Sequence, residues 1–280
     1  MMPAGSDNKL TGNGPGTESL RSCDRPARPP SKWCGLRLTS PGGAIPNADA
    51  PHGEQGYNGY MSIDRPVTII GGHGKVALRA ARILSGAGAE VFSVIRNPDQ
   101  EAAIREAGAT PVVADVENLD VDGLREVVRG SGSVVFSAGA GGGNPERTYA
   151  VDRDAAIRTI DASGAEGVER FVMVSYDGAR PDHGVPEDNS FFPYAEAKAA
   201  ADSHLRESDL QWTILGPGAL TDEPGGDSIG VGAGKREDRA TSRDVVAAVI
   251  AEVLRRPDTA RRTIEFSDGD TPIGEALTRK

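Results

Sequence analysis

The sequence predicts a doubly wound α/β domain: a parallel sheet of about six to seven strands with helices on both faces, and a small substrate-side region toward the C-terminus. Three observations carry this. Short apolar runs alternate with helical periods from residue 62 onward. Each run is short and nearly all apolar, the pattern of strands covered on both faces. The first run passes through closely spaced glycines directly into a helix. Alternation of this kind implies right-handed crossovers and parallel strands, and ligands of such sheets lie beyond the C-terminal strand ends.

The chain has 280 residues and a formal net charge of −10, which argues against a nucleic-acid surface. No apolar run approaches the roughly 20 residues that span a bilayer. Both cysteines, Cys23 and Cys34, lie in the N-terminal stretch. That excludes a disulfide framework from residues 62–280 and fits a reducing cytoplasm. Residues 1–61 are rich in Pro, Gly, Ser, Asn and Asp, with no sustained period and no signal-peptide core. They are expected to be a disordered extension, with translation starting at Met61; peptides from residues 1–60 in cell extract would exclude that start. Residues 62–280 form one domain, expected as a monomer or homodimer.

The first strand is Val67–Ile70, followed by Gly71-Gly72-His73-Gly74 and a helix from Lys75 with Val76, Ala80, Ile83 and Ala87 along one face. Strand, glycine turn and helix together present backbone N–H groups and a positive helix end to a phosphate. Gly71-x-x-Gly74-x-x-Ala77 is a shortened dinucleotide fingerprint, although glycine turns of this kind also occur without a ligand. The second strand, residues 90–95, ends at Arg96. Positions 93–97 contain no acid, so Arg96 favours the 2′-phosphate of NADP(H) over the 2′-hydroxyl of NAD(H). A helix over residues 99–107 leads to a strand over 110–114. Asp115 and Val116 end it, in reach of adenine. A helix over 121–129 precedes a strand over 133–137, whose tail, Ala138-Gly139, is small enough to lie along the nicotinamide ribose. A helix over 145–163 and a strand over 170–175 follow.

Tyr194 and Lys198 share one face of a helix over residues 192–208. A neighbouring ammonium lowers a phenol's pKa, which suits acid–base exchange with a carbonyl oxygen. Ser175 is placed to hydrogen-bond that oxygen. A Tyr packed on the sheet beside a solvated Lys is the plainer alternative. Further on come a strand over 210–215, a flap over 221–240, a helix over 242–256 with Ser242 as N-cap, a seventh strand over 263–266 and a last helical turn over 271–277. Residues 180–193 and 216–240 should wall the substrate pocket. The four histidines show no metal-ligand spacing, and His73 reads as a solvent-facing residue of the phosphate loop.

Residues 64–280 resemble the atypical short-chain dehydrogenase/reductases, in the NmrA-like, NAD(P)H-binding branch that includes flavin reductase-like proteins. The resemblance rests on residues 71–77, Arg96, Asp115-Val116, residues 168–175, Tyr194-x-x-x-Lys198, residues 212–220 and residues 241–246. It implies a Rossmann-like sheet and a bound NAD(P), held by Gly71, Gly72, His73, Gly74, Lys75, Val76, Arg96, Asp115, Val116, Ala138, Gly139 and Lys198. Tyr194, Lys198 and Ser175 would be the catalytic set, acting on a small carbonyl, quinone or flavin-like acceptor. Gly216 stands where relatives often carry Arg. In this branch some members only sense the dinucleotide, so a regulatory protein is the alternative. A nucleotide-sugar epimerase is less favoured, because only residues 216–280 remain for a sugar-nucleotide site.

Overall fold

A computed structural model describes residues 63–141, 143–232 and 240–278, all within one compact unit, Gly56–Lys280. The expected extension over residues 1–61, the start at Met61 and part of the flap lie outside the described residues. Strands and helices alternate as β1 (Val67–Ile70), α1 (Lys75–Gly86), β2 (Val91–Ile95), α2 (Glu101–Glu106), β3 (Thr110–Val113), α3 (Val121–Val128) and β4 (Ser133–Phe136). Next come α4 (Pro145–Thr148), a π-helical stretch (Tyr149–Ala155), α5 (Ala156–Ala165), β5 (Arg170–Val174), α6 (Phe192–Glu207), β6 (Gln211–Pro217) and β7 (Ala219–Thr221). The chain continues through β8 (Ser228–Val231), β9 (Ala240–Ser242), α7 (Arg243–Arg255), β10 (Arg262–Asp268), β11 (Thr271–Pro272) and α8 (Ile273–Ala276).

The main sheet runs β11-β8-β10-β6-β5-β4-β1-β2-β3. The strands from β10 to β3 are mutually parallel, and β8 is antiparallel to both β10 and β11. Among the described residues the sheet therefore has nine strands, not six or seven, and β7 and β9 pair separately. The additional strands have two to four residues and include Gly230 and Pro272. They are too short to show a period, and only pairing makes them strands.

Successive residues of each central strand enter opposite cores, because side chains alternate across a sheet. Ile69, Val135, Val172 and Leu215 pack with α1 and α7, whereas Ile70, Phe136, Met173 and Ile214 pack with α3, α5 and α6. At the base of the sheet Arg170 is buried, and burial lowers its pKa to about 10. Its guanidinium donates to Gln211 O at 2.7 Å, Val253 O at 3.0 Å and Thr259 Oγ1 at 2.6 Å, tying β5 to β6 and to the end of α7. Ser242 caps α7 as expected, accepting from the Asp244 N–H.

The strand order reverses between β2, β1 and β4, and the glycine turn sits there. Gly71 has φ +80°, and a Cβ on it would lie 2.5 Å from Ala138 Cα beyond β4. A Cβ on Gly72 would lie 2.6 Å from Ser93 Cβ on β2. One glycine thus admits each neighbouring strand. Gly71→Ala combines a left-handed backbone with a clash against main chain, so it should destabilise the fold by about 1–3 kcal/mol, read as a lower denaturant midpoint.

Candidate functional site

Two cavities open at the C-terminal ends of the strands and share Gly74, Ser137, Ala138 and Gly139. The smaller, about 350 Å³, reaches Arg96, Asp115 and Val116 on one side of β1. The larger, about 970 Å³, reaches Ser175, Tyr194 and Lys198 on the other. An elongated groove crossing a glycine turn at the topological switch point has the shape a dinucleotide requires. The cradle is fitted to it: main chain alone borders the groove at Gly74, whose Cβ would press on Gly71 O at 3.2 Å. The start of α1 lies alongside.

At the smaller end, Asp115 accepts from the Glu117 N–H at 3.2 Å and from Asn118 Nδ2 at 2.8 Å, which shapes the turn after β3. Arg158 of α5 holds the same turn through the carbonyls of Val116, Glu117 and Leu119. Arg96 and Arg147 both donate to Glu117 Oε2, each at 3.2 Å. Arg147 also donates to Ala140 O at 3.0 Å, joining this end to the tail of β4. The cavity thus holds two guanidinium groups against one bridging carboxylate.

The larger end encloses buried charge. Lys198 is only 1% exposed, and its Nζ lies 5.9 Å from the centre of the Tyr194 ring and 5.8 Å from that of Phe136. Two buried carboxyls flank this region. Asp152, on the π-helical stretch, accepts from the Ala140 N–H at 2.9 Å. Burial raises its pKa, with Lys198 the main opposing charge. Asp202, one turn beyond Lys198 on α6, accepts from Ser175 Oγ at 2.7 Å. Burial pushes its carboxyl up to about 6, against the pull of Lys198 and the Ser175 hydrogen bond. Tyr194, half-buried, packs with Tyr176 and Phe191 at ring-centre distances of 5.6 and 5.2 Å. Desolvation first, then the negative charges of Asp152 and Asp202, push its phenol well above the ordinary value. This is opposite to the sequence expectation. The ammonium that was to lower the phenol stands among two carboxylates whose charges act on Tyr194 with the other sign.

Most of the residues singled out in the sequence line one cavity or the other, and two depart from expectation. Gly72 is buried under Ser93 and lines neither cavity. His73 is exposed at the rim of the smaller one, in the solvent-facing place expected of it. Lys75 borders the larger but is paired with Asp222, whose pKa it lowers; Arg243 reaches the same carboxylate at 3.2 Å. Residues 187–193 wall the larger cavity as expected, whereas residues 216–232 contribute only Leu220 to it. At Gly216 a Cβ would lie 3.1 Å from both Tyr176 O and Glu265 Cγ, so the backbone is closely packed there. Sequence reasoning missed Arg147, Asp152 and Asp202. Asp202 carried a readable signal, since it continues the Tyr194–Lys198 face by one more turn. So did Asp152, an acid inside the apolar stripe of its helix.

Comparison with known proteins agrees with this geometry. Residues 71–257 match the family described as NAD(P)H-binding. A Bacillus subtilis protein named uncharacterized sugar epimerase YhfK is 34% identical over 217 residues, 76% of this chain and 99% of the relative. A Bacillus halodurans structure, described as a candidate NAD-dependent epimerase/dehydratase, is 33% identical with a TM-score of 0.70, covering 76% of this chain and 98% of its own. A Streptococcus pneumoniae structure, described as a candidate NADH-flavin reductase, shares the fold at 18% identity and a TM-score of 0.58, covering 73% of this chain and all of its own. With two-thirds of its length matched by the family and the groove in place to receive the nucleotide, the chain belongs to the NAD(P)H-binding family.

Proposed function

We propose that the chain is an NADP(H)-preferring oxidoreductase that reduces a small carbonyl, quinone or flavin-like acceptor. The observation that carries this is the continuity of the groove from the two arginines at one end to Ser175, Tyr194 and Lys198 at the other. When bound, the dinucleotide supplies a hydride, two electrons and one proton, and is oxidised. Everything else falls to the chain. Gly71, Gly74 and the start of α1 take the pyrophosphate, and Ala138 and Gly139 border the nicotinamide ribose, which Lys198 holds. Tyr194, kept protonated, donates a hydrogen bond to the acceptor oxygen. Phe191 and Leu220 give the acceptor an apolar wall, which favours a planar or aromatic molecule.

The preference for NADP(H) rests on charge. Asp115 is committed to its own turn, and Arg96 and Arg147 share a single carboxylate, so a 2′-phosphate would find two partners. A second reading, sugar epimerisation, is favoured by the name of the Bacillus subtilis relative and by Glu187, Asn189 and Ser190 on the larger cavity's wall. These groups suit hydroxyls. Release of an epimer without net oxidation of the nucleotide would identify that reaction.

Calorimetric titration of NADPH and NADH tests the preference. A hydrogen bond to a charged group contributes about 1.5–3 kcal/mol; with the Arg96 side chain 57% exposed, the lower end applies. Arg96→Ala should weaken NADPH about tenfold and leave NADH nearly unchanged; equal loss for both nucleotides would remove the preference. Tyr194→Phe should lower kcat/KM a few-fold to about tenfold, the worth of one hydrogen bond, without altering its pH dependence.

A further inference from the structure

Ser175 links the cleft to a buried acid. It borders the larger cavity, and its hydroxyl donates to Asp202, which is wholly buried. The other Asp202 oxygen, Oδ1, has no hydrogen-bond partner. While Asp202 is ionised, the Ser175 hydrogen is committed inward, and the hydroxyl offers the cleft only a lone pair. It can then accept from an alcohol but cannot assist a carbonyl. Once Asp202 carries a proton, its O–H can donate to Ser175 Oγ, and the serine hydrogen is released toward the cleft.

We propose that the proton gained by the acceptor's carbonyl oxygen comes from the Asp202 carboxyl by way of the Ser175 hydroxyl. The proposal rests on the oxidoreductase reading above. The O–H bond of Asp202 breaks as one forms on Ser175 Oγ. The original O–H bond of Ser175 breaks as one forms on the acceptor oxygen, whose carbon has received the hydride from the nicotinamide. Ser175 ends as a hydroxyl, Asp202 as a carboxylate and the acceptor as an alcohol; the nicotinamide is the group oxidised. After the product leaves, water in the cleft returns a proton through the same two oxygens. Ser175 is the catalytic residue in this scheme, and Asp202 is a positioning residue that stores its proton.

The surroundings match the task. A donor serves best when its pKa lies near the working pH. Burial holds the Asp202 carboxyl up to about 6, whereas the phenol of Tyr194 is pushed far from that range. Lys198 and Arg206 on the same helix keep the Asp202 value from rising further. From the elements packed on α6, Arg153 pairs with Asp154, Asp161 with His204 and Arg147 with Glu117. Asp152 acts on Lys198 and Tyr194, and β6 carries no ionisable side chain.

Two measurements on the full chain test the relay. The first needs no nucleotide: carbon NMR titration of the aspartate carboxyls should find one group titrating near pH 6. Ser175→Ala should move it higher, because the lost hydrogen bond favours the carboxylate. The second is kcat/KM for NADPH-dependent reduction of 4-nitrobenzaldehyde or 9,10-phenanthrenequinone against pH. In the wild type the aldehyde rate should fall tenfold per unit above about pH 6. Asp202→Asn, whose amide still accepts from Ser175 without a buried charge, should be at least about a hundredfold slower and flat across that range. Ser175→Ala should lose the same limb. A carboxyl unaffected by Ser175→Ala, or an alkaline limb that survives in both variants, overturns the relay and leaves the oxidoreductase reading standing. Binding of NADPH with no turnover of either acceptor by the wild type overturns both.

Discussion

The close approach of the β1 turn to its two neighbours is the constraint on which the rest depends. Gly71 lies against the tail of β4 and Gly72 against Ser93 of β2, each too near for a side chain. Because β1 pairs in parallel with both strands, their C-terminal ends are drawn level, and the tail of β4 becomes the shared floor of both cavities. A wider turn would separate the cavities from the glycine turn. The spacing of these glycines is thus a packing requirement of the sheet as much as a binding requirement.

Buried charge is the second organising element. Lys198, Asp152 and Asp202 are almost or wholly withdrawn from solvent. Taking an ion out of water costs several kcal/mol unless opposite charge and hydrogen bonds offset it. The ammonium between two acids meets that condition in part, and the unmet remainder appears as raised carboxyl pKa values. The π-helical stretch has a part here. It carries Asp152, whose carboxylate accepts from the Ala140 N–H, so an irregularity in one helix fixes the conformation of the β4 tail.

Much of this was legible in the sequence, and the remainder was hidden for identifiable reasons. Strands β1, β2, β4, β5 and β6 are largely apolar runs bounded by polar or glycine turns, and burial on both faces makes such runs conspicuous, whereas β3 and β10 are shorter on apolar residues and half exposed. β7, β8, β9 and β11 exist through pairing alone, so composition does not mark them. At the site, the residue types at the strand ends could be read because the fold class dictates where ligands sit. The direction of the Tyr194 shift could not. It depends on Asp152, brought in from a different helix, and on the extent of burial, neither of which is encoded in the spacing of Tyr194 and Lys198. Gly72 misled for a related reason: of two adjacent glycines, only the three-dimensional packing shows which one faces the groove.

The ion pairs that tie α1 to the C-terminal part of the chain also bear on the order in which the molecule assembles. Lys75 meets Asp222, and Arg79 meets Asp244, across 147 and 165 positions of chain. Contacts so distant in sequence form late, after the loop-closure entropy of the intervening chain has been met by nearer contacts. On a ribosome the first β-α-β units would emerge and pair long before Asp222 and Asp244 are made. The glycine turn would therefore acquire its native surroundings near the end of synthesis. A chain cut short before β7 would keep the glycine turn and lack both acids that hold its basic helix in place.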